Sequence, residues 1–232
     1  MRLLALETAT RQLSVALWQD GAIVERAAIL PNGGSERLLP WVYELLVEAG
    51  IGMAQLDGVA FGAGPGGFTG LRLACGIAQG LAFGLDRPVV AISTLAALAL
   101  ASGETRVWTC LDARMNEVYC AAYERVGATV VERMAAVCVA PSVAPAPTFA
   151  SAGGCVGVGD GFAAYGPLLR ARKPDLESVR SETYPTAAAV AQLAAAVFRQ
   201  GGGGAAAQAQ PIYVRNKVAL TTAERNAARP AS

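Results

Sequence analysis

A repeated pattern constrains the fold of this chain of 232 residues more than any other feature. The stretch LALETATRQLSVALW (4–18) aligns with TCLDARMNEVYCAAY (109–123) when the second is shifted by 105 residues. Glu7 then matches Asp112, and each of them ends an apolar run. A chance likeness between two hairpins stays open as an alternative. The favoured interpretation is a duplicated α/β chain with two lobes.

Strand and helix patterns follow in a similar order in both halves. RLLALE is an apolar run and QLSVALW alternates, which predicts two strands, and a third strand pattern follows them. Helical patterns over 35–50 and 69–85 are separated by a short buried strand. We expect two βββαβα-type units, an N-terminal lobe over 1–103 and a C-terminal lobe over 104–214. Low-complexity composition predicts a flexible linker near 200–211 and a polar tail over 215–232.

Composition restricts the chemistry that this chain can perform. Hydrophobic residues make up 53% of the chain, which indicates a globular protein, and the net charge of +1 predicts no broad basic face. The chain contains no histidine, the commonest general base and metal ligand. Its five cysteines are scattered and form no C-x-x-C pair. We therefore expect no catalytic residues and no metal site.

The N-terminus and the longest charge-free window argue against a membrane protein. MRLLALETAT reaches Glu7 before the apolar core of a signal peptide could form. The uncharged window over 134–159 contains three prolines and four glycines, which makes it a poor membrane span. We expect a cytoplasmic protein that does not contact a membrane.

The glycine-rich run GAGPGGFTG lies between a predicted strand and a predicted helix. Gly62, Gly64 and Gly67 satisfy the G-x-G-x-x-G pattern of dinucleotide-binding turns. Two features argue against such a site, because the run follows the fourth strand and the next strand ends in Ser93 where an acid is expected. The run predicts a tight turn with Thr69 as helix N-cap.

Arg72 falls in the predicted first turn of the helix that follows. A cation there opposes the helix dipole. We expect Arg72 to pair with an acid or to reach a phosphate, on this chain or on a partner.

The helix over 69–85 carries no charge from Leu73 onward, and small residues recur every four positions. A helix that is apolar all round must be covered on all sides, so we expect a partner helix on one face. The alternative is burial by the second lobe of the same chain. The candidate partner-contact residues on this helix and on 36–49 are Leu38, Leu39, Trp41, Val42, Leu45, Gly70, Leu71, Ala74, Ala78 and Leu81.

Carboxylates at the ends of the first strand of each unit suit Mg²⁺-phosphate binding between two lobes. Neighbouring hydroxyls and the amides of the glycine run suit the same ligand. The alternative is that these residues only end their strands and bond their own turns. The candidate nucleotide or phosphate residues are Glu7, Thr8, Thr10, Gly64, Gly66, Thr69, Arg72 and Asp112.

Five segments spread over nearly the whole chain resemble the TsaB (YeaZ) family. They are LALETAT, SERLLP, GAGPGGFTGLRLACGIAQGLA, LDARMNEVY and PIYVRNKVA. The resemblance implies the actin/sugar-kinase-like (ASKHA) α/β fold of two ribonuclease-H-like lobes. It also implies the role of a non-catalytic partner of TsaD, the enzyme that transfers threonylcarbamoyl to adenosine 37 of ANN-reading tRNAs.

The resemblance further implies a set of partners, and this sequence differs from the related proteins at four positions. We expect binding to TsaD and to the ATPase TsaE, contact with tRNA only indirectly through the complex, and a homodimer when TsaD is absent. We expect no cofactor, while weak ATP or ADP binding at a subunit boundary stays open. Thr94 and Leu98 stand where TsaD has its H-x-x-x-H metal motif. Glu7 stands where many members have Asp, and Gly34 where many have His.

Two other functions remain as alternatives to a scaffold subunit. An ATP-dependent small-molecule kinase of the same fold would need a catalytic carboxylate and a full nucleotide cleft. A peptidase is poorly supported because the chain has no histidine and no metal motif.

Overall fold

The structure, a computed structural model, describes residues 1–30, 34–150 and 153–215. The first unit contains β1 (Arg2–Glu7), β2 (Gln12–Gln19), β3 (Ala22–Ile29), α1 (Ser35–Glu48), β4 (Gly58–Gly64), α2 (Phe68–Leu85), β5 (Val89–Ser93) and α3 (Thr94–Ala101). The second contains β6 (Arg106–Arg114), β7 (Glu117–Val126), β8 (Thr129–Val139), β9 (Cys155–Val158), α4 (Gly161–Arg172), β10 (Leu176–Arg180) and α5 (Ala187–Arg199). Short 3₁₀ turns occupy 53–55, 141–143 and 206–208.

The two units form two five-stranded sheets with the same strand order. The first sheet runs β3-β2-β1-β4-β5 and the second runs β8-β7-β6-β9-β10. In each sheet the first three strands are antiparallel and the last two are parallel to the first. This shared order confirms the duplicated α/β architecture.

Burial explains why the central strands have the sequences they do. All seven residues of β4 are buried, as are five of the six residues of β1. Strands covered on both faces are uniformly apolar, whereas the edge strand β3 alternates between exposed and partly buried positions.

The last helix of each unit packs against the sheet of the other unit. α5 covers β1 and β2 of the first sheet, where Val190 and Ala194 are fully buried with Leu3 and Ala16. α3 lies against β6, β7 and β8 of the second sheet. The boundary between the lobes near residue 103 stays a prediction. The predicted division places α5 in the C-terminal lobe, but this helix covers the sheet of the N-terminal lobe.

The segment from Gly204 to Arg215, which we name the strap, runs along α2 and is bonded throughout. Gly204 exchanges two backbone hydrogen bonds with Val89, and the Ile212 N–H donates to the carbonyl of Ala63 (2.7 Å). Gln79 and Cys75 of α2 donate to strap carbonyls between these points. These bonds fasten most of the segment near 200–211 to the first lobe, and its flexibility stays a prediction. Of the predicted tail over 215–232, all but Arg215 lies outside the described residues.

Both outer helices begin after a glycine. Gly34 precedes α1 with a φ of 97°, in the left-handed region that glycine adopts without strain. α2 begins at Phe68 with Gly67 as its N-cap. The expected N-cap Thr69 is therefore wrong by two residues, and its side chain is exposed inside the first turn.

Candidate functional sites: a cleft and an open helix face

A cavity of about 420 Å³ lies between the two sheets. The β1–β2 turn, the start of α2, the β6–β7 hairpin and the end of the strap surround it. Five of the eight predicted phosphate residues line this cavity, and Glu7, Gly64 and Arg72 do not. The five are Thr8, Thr10, Gly66, Thr69 and Asp112.

The glycine run brings the start of α2 close to the β1–β2 turn. The Gly67 N–H donates to the carbonyl of Ala9 (2.8 Å), and a Cβ at Gly66 would lie 2.7 Å from Ala9 Cβ. At Gly70 a Cβ would overlap the carbonyl of Thr8, whose hydroxyl donates to the Gly70 carbonyl (2.6 Å). The glycines therefore allow the close approach of two loops, and the expectation of a tight turn is confirmed.

Glu7 is buried beside the cavity and serves the fold. Its Oε1 accepts a hydrogen bond from the Ala9 N–H (2.7 Å), and its Oε2 accepts one from the Thr94 hydroxyl (3.2 Å). Burial raises the pKa of Glu7 to about 7, against the lowering effect of these hydrogen bonds. A Cβ at Gly62 would overlap this carboxylate. The carboxylate does not line the cavity, and the expected role of Glu7 in holding a phosphate stays a prediction.

Gly64 and the two residues at the TsaD metal-motif positions, Thr94 and Leu98, make contacts within the fold. The Gly64 N–H donates to the Thr94 hydroxyl (3.1 Å), and a Cβ at Gly64 would lie 2.8 Å from the carbonyl of Ile212. Leu98 is fully buried in the core between α3 and the second sheet. Thr94 therefore joins α3 to β1 and β4 of the first sheet, and Leu98 packs α3 against the second sheet.

Asp112 and Asp160 form the acidic wall of the cavity. The Asp112 N–H donates to Asp160 Oδ1 (3.0 Å), and the Asp112 carboxylate accepts from the backbone N–H (2.8 Å) and the guanidinium (3.1 Å) of Arg114. Burial, and then the neighbouring Asp112 carboxylate, raise the pKa of Asp160. Sequence reasoning missed Asp160, although its place in the strand-turn GVGDG of the second unit was a usable signal.

The β6–β7 hairpin at the cavity mouth has an unfavourable backbone. Arg114, Met115 and Asn116 have φ values of 60°, 55° and 60°, a region that costs non-glycine residues about 1–2 kcal/mol each. Arg215 of the strap holds this hairpin, because its Nη2 donates to the Ala113 carbonyl (2.8 Å) and to the Glu117 carboxylate (2.6 Å). The strap thereby joins α2 to the second lobe.

Arg215→Ala is expected to lower the free energy of unfolding by about 1–2 kcal/mol, because it leaves a carboxylate and a carbonyl without their charged donor. The hairpin amides of 113–117 should then exchange faster with deuterium. Arg133→Ala is the matched control, since Arg133 pairs with Glu124 (2.7 Å) on an exposed strand surface. Urea unfolding measures the stability of both variants. Equal losses of stability would contradict the proposal that Arg215 holds the β6–β7 hairpin.

Six of the ten predicted partner-contact residues lie in the chain's own core. The small residues Ala74 and Ala78 of α2 are fully buried, and α2 packs against β4. The expectation that this small-residue stripe meets a partner is wrong, because it meets the first sheet. Leu39 is exposed, Trp41 and Leu81 are partly buried, and Gly70 lies against Thr8. The six buried residues are Leu38, Val42, Leu45, Leu71, Ala74 and Ala78.

A different surface of the same two helices is open to solvent. On α2 a second small-residue stripe has no neighbouring atom within 4 Å of any added Cβ, and Phe83 beside it is 79% exposed. On α1 three large side chains recur every four residues, with Tyr43 64% exposed. We name these exposed positions of the two helices, taken together, the open helix face; they are Leu39, Tyr43, Val47, Gly76, Gly80, Phe83 and Gly84.

α2 is also long and apolar enough, by length and composition alone, to cross a membrane. Its face of Ala74, Ala78 and Ala82 is packed against the first sheet.

Comparison with curated proteins decides the family. The tRNA threonylcarbamoyladenosine biosynthesis protein TsaB of Escherichia coli strain K12 is 37% identical over 226 residues, which cover 94% of this chain and 96% of that protein. The chain belongs to the TsaB family. A TsaB protein of Haemophilus influenzae is 47% identical over 123 residues, about half of each chain.

Solved structures and a family model agree with the TsaB assignment. YeaZ from Pseudomonas aeruginosa superposes with a TM-score of 0.83 at 36% identity, covering 91% of this chain and 99% of that one. A second structure, described as similar to the peptidase YeaZ from Pseudomonas aeruginosa, gives 0.85 at 37% identity over 92% and 99% of the two chains. The model of TsaD, a tRNA N6-adenosine threonylcarbamoyltransferase, matches residues 32–145. The expected ASKHA fold of two ribonuclease-H-like lobes is thereby confirmed.

Proposed function

We propose that this chain is the non-catalytic subunit of a cytoplasmic complex that adds threonylcarbamoyl to adenosine 37 of ANN-reading tRNAs. It binds a TsaD-type subunit and holds that subunit in its active form. The names of its relatives place those proteins in the biosynthesis of threonylcarbamoyladenosine in tRNA. The observation that carries the proposal for this chain is the open helix face.

Glycine occurs at three successive turns of α2, although glycine lowers the stability of a helix. Gly76, Gly80 and Gly84 each cost about 1 kcal/mol relative to alanine inside a helix. Among the residues that the structure describes, no atom lies within 4 Å of a Cβ added at these positions. Small residues allow a partner helix to approach closely, and the exposed Phe83 and Tyr43 supply the aromatic contacts enriched in interfaces.

The TsaD match supports this choice of partner. It covers residues 32–145, which contain both α1 and α2. A TsaD-type chain is therefore expected to carry an equivalent pair of helices. Two such pairs facing each other would bury the apolar side chains of both in one bundle. The same argument allows a homodimer when the TsaD-type subunit is absent.

Co-purification with the TsaD-type subunit of the same organism tests the proposal. We expect a 1:1 complex by light scattering after size-exclusion chromatography, and threonylcarbamoyl transfer to tRNA that requires both chains. Two proteins that elute separately, together with full transfer activity of the TsaD-type subunit alone, would overturn the proposed role.

The geometry of the cleft weakens the kinase alternative. Glu7 is buried and bonded to the fold, so it does not reach a nucleotide in the cavity. We expect no cofactor on the isolated chain and at most weak ATP or ADP binding at a subunit boundary. Calorimetry with ATP and Mg²⁺ separates the two functions, since submicromolar binding to the isolated chain would favour the kinase. TsaE binding is expected only on the assembled complex.

A further inference from the structure

Three arginines line the cleft, Arg72 lies beside it against the lining residue Phe68, and only two of the four form ion pairs with acids. Arg114 pairs with Asp112 (3.1 Å), and Arg215 pairs with Glu117 (2.6 Å). Within the described part of the chain, neither Arg11 nor Arg72 has an ion pair. The first turn of α2, which precedes Arg72, contains no acidic residue either. These two guanidinium groups therefore have no direct acid partner, while the charge of Arg11 also acts on the cleft-lining Asp160.

A tyrosine hydroxyl holds each of these two guanidinium groups. Arg11 Nη2 bonds to the Tyr184 hydroxyl (3.1 Å), and Arg72 Nε bonds to the Tyr213 hydroxyl (3.3 Å). The Arg72 guanidinium also lies 3.6 Å above the ring of Phe68. These neutral partners restrict the side chains without cancelling their charge, so less entropy is lost when an anion binds.

Two exposed aromatic rings adjoin Arg72. The Phe68 and Tyr213 rings lie 6.3 Å apart at 36°, and they are 48% and 51% exposed. Both residues line the cleft. Arginines beside exposed aromatic faces are typical of surfaces that bind single-stranded nucleic acid, where phosphates contact the cations and bases stack on the rings.

We propose that the cleft mouth, defined by Arg11, Phe68, Arg72 and Tyr213, contacts a single-stranded segment of RNA. This inference rests on the proposed function, which supplies tRNA as the RNA. Phosphates bind Arg11 and Arg72, and a base stacks on Phe68 or Tyr213. The surface lies at the start of α2, the helix whose later turns form the open helix face. An RNA held by a partner on that face can reach it, so the tRNA contact is direct and not only through the partner.

Fluorescence anisotropy with a labelled anticodon stem-loop that reads an ANN codon tests this inference. It is measured on the isolated full chain and on its complex with the TsaD-type subunit, at several salt concentrations. Each of Arg11→Ala and Arg72→Ala is expected to weaken binding about tenfold. The double variant should also reduce the slope of log affinity against log salt by about 1.4, because two phosphate contacts are lost.

Matched controls separate this contact from a general charge effect. Arg125→Ala removes the same charge from a guanidinium that is bonded to the carbonyls of Gly127 and Gly103, at the far end of β7 from the cleft. It should change affinity less than twofold. Phe68→Leu should weaken binding while leaving the salt slope unchanged, because it removes a stacking face and no charge.

Three results would overturn the inference. One is equal affinity of the double variant and the Arg125→Ala control. The others are binding of adenosine monophosphate, or of poly-glutamate, as tight as that of the stem-loop. If the chain does not associate with the TsaD-type subunit, the anisotropy of the isolated chain still reports the RNA contact, so the two failures are distinguishable.

Discussion

Gly80→Arg is expected to abolish co-purification with the TsaD-type subunit while raising the free energy of unfolding by about 0.5–1 kcal/mol. A Cβ added at Gly80 meets no atom of the described residues within 4 Å, and arginine is a better helix former than glycine. On the open helix face the same side chain would prevent a partner helix from approaching. Loss of binding together with a gain in stability is a combination that general damage to the fold cannot produce.

Ala78→Arg, two residues earlier on the same helix, is the matched comparison. Ala78 is fully buried against the first sheet, so an arginine there must bury a charge without a partner or expel the helix. We expect a loss of about 4 kcal/mol or more in the free energy of unfolding. Urea unfolding and size-exclusion chromatography measure both variants. A stably folded Ala78→Arg variant that no longer binds, together with a Gly80→Arg variant that binds normally, would contradict the assignment of the two faces.

The second large effect is a loss of stability as the pH rises. The pKa of Glu7 is raised from 4.5 to about 7 in the folded chain by burial. The folded state therefore holds this proton more tightly than the unfolded state between these pH values. Its stabilising contribution is present below pH 4.5 and disappears as the pH rises through 7. Between pH 5 and pH 8 the loss is about 2–3 kcal/mol.

Glu7→Gln isolates this contribution because glutamine has a similar shape and does not titrate. Its side-chain oxygen can accept from the Ala9 N–H, and its amide can face the Thr94 hydroxyl. The difference in unfolding free energy between wild type and variant should change by about 2–3 kcal/mol between pH 5 and pH 8. Glu48→Gln, at an exposed residue of α1 paired with Arg26, is the control. A pH-independent difference for Glu7→Gln would contradict a buried, protonated Glu7.

The duplicated architecture of the fold was predictable from the sequence. The match of Glu7 with Asp112 and the strand-like periodicity around them predicted two similar units, and the two sheets have the same order. The pairing of β1, β2 and β3, and of β6, β7 and β8, is specified locally, because the alternation of apolar and polar residues and the turn residues set the register. The resemblance of five segments to the TsaB family then predicted the fold class and the family correctly.

The orientation of α2 was not predictable from its composition. From Leu73 to its end the helix carries no charge and small or apolar residues occur on every side, so the pattern has no preferred face. Two small-residue stripes compete, and only tertiary packing decides that the alanines meet the sheet and the glycines meet solvent. The difference in helix propensity between Ala78 and Gly80 was a usable signal, since an exposed glycine without a steric reason suggests a close approach by a partner.

Other features of the structure depend on contacts between residues that are far apart in the sequence. Nothing local to Glu7 shows that its carboxylate is enclosed by Gly62 and Thr94, because those residues come from β4 and the start of α3. The sequence near 200–211, which overlaps the strap, predicts a flexible linker because glycine and alanine lack side chains that mark a contact. The strap is held by backbone hydrogen bonds to β5 and β4 and by Arg215, which reaches the second lobe.

Reconstituted transfer of threonylcarbamoyl to an ANN-reading tRNA tests the central claim most directly. The reaction contains the TsaD-type subunit, TsaE, an enzyme that makes threonylcarbamoyl-adenylate, and either wild-type chain or Gly80→Arg. We predict product with the wild-type chain, background levels with Gly80→Arg, and no product when the TsaD-type subunit is omitted. Product formed by this chain without the TsaD-type subunit, or full activity with Gly80→Arg, would contradict its role as a non-catalytic partner bound through the open helix face.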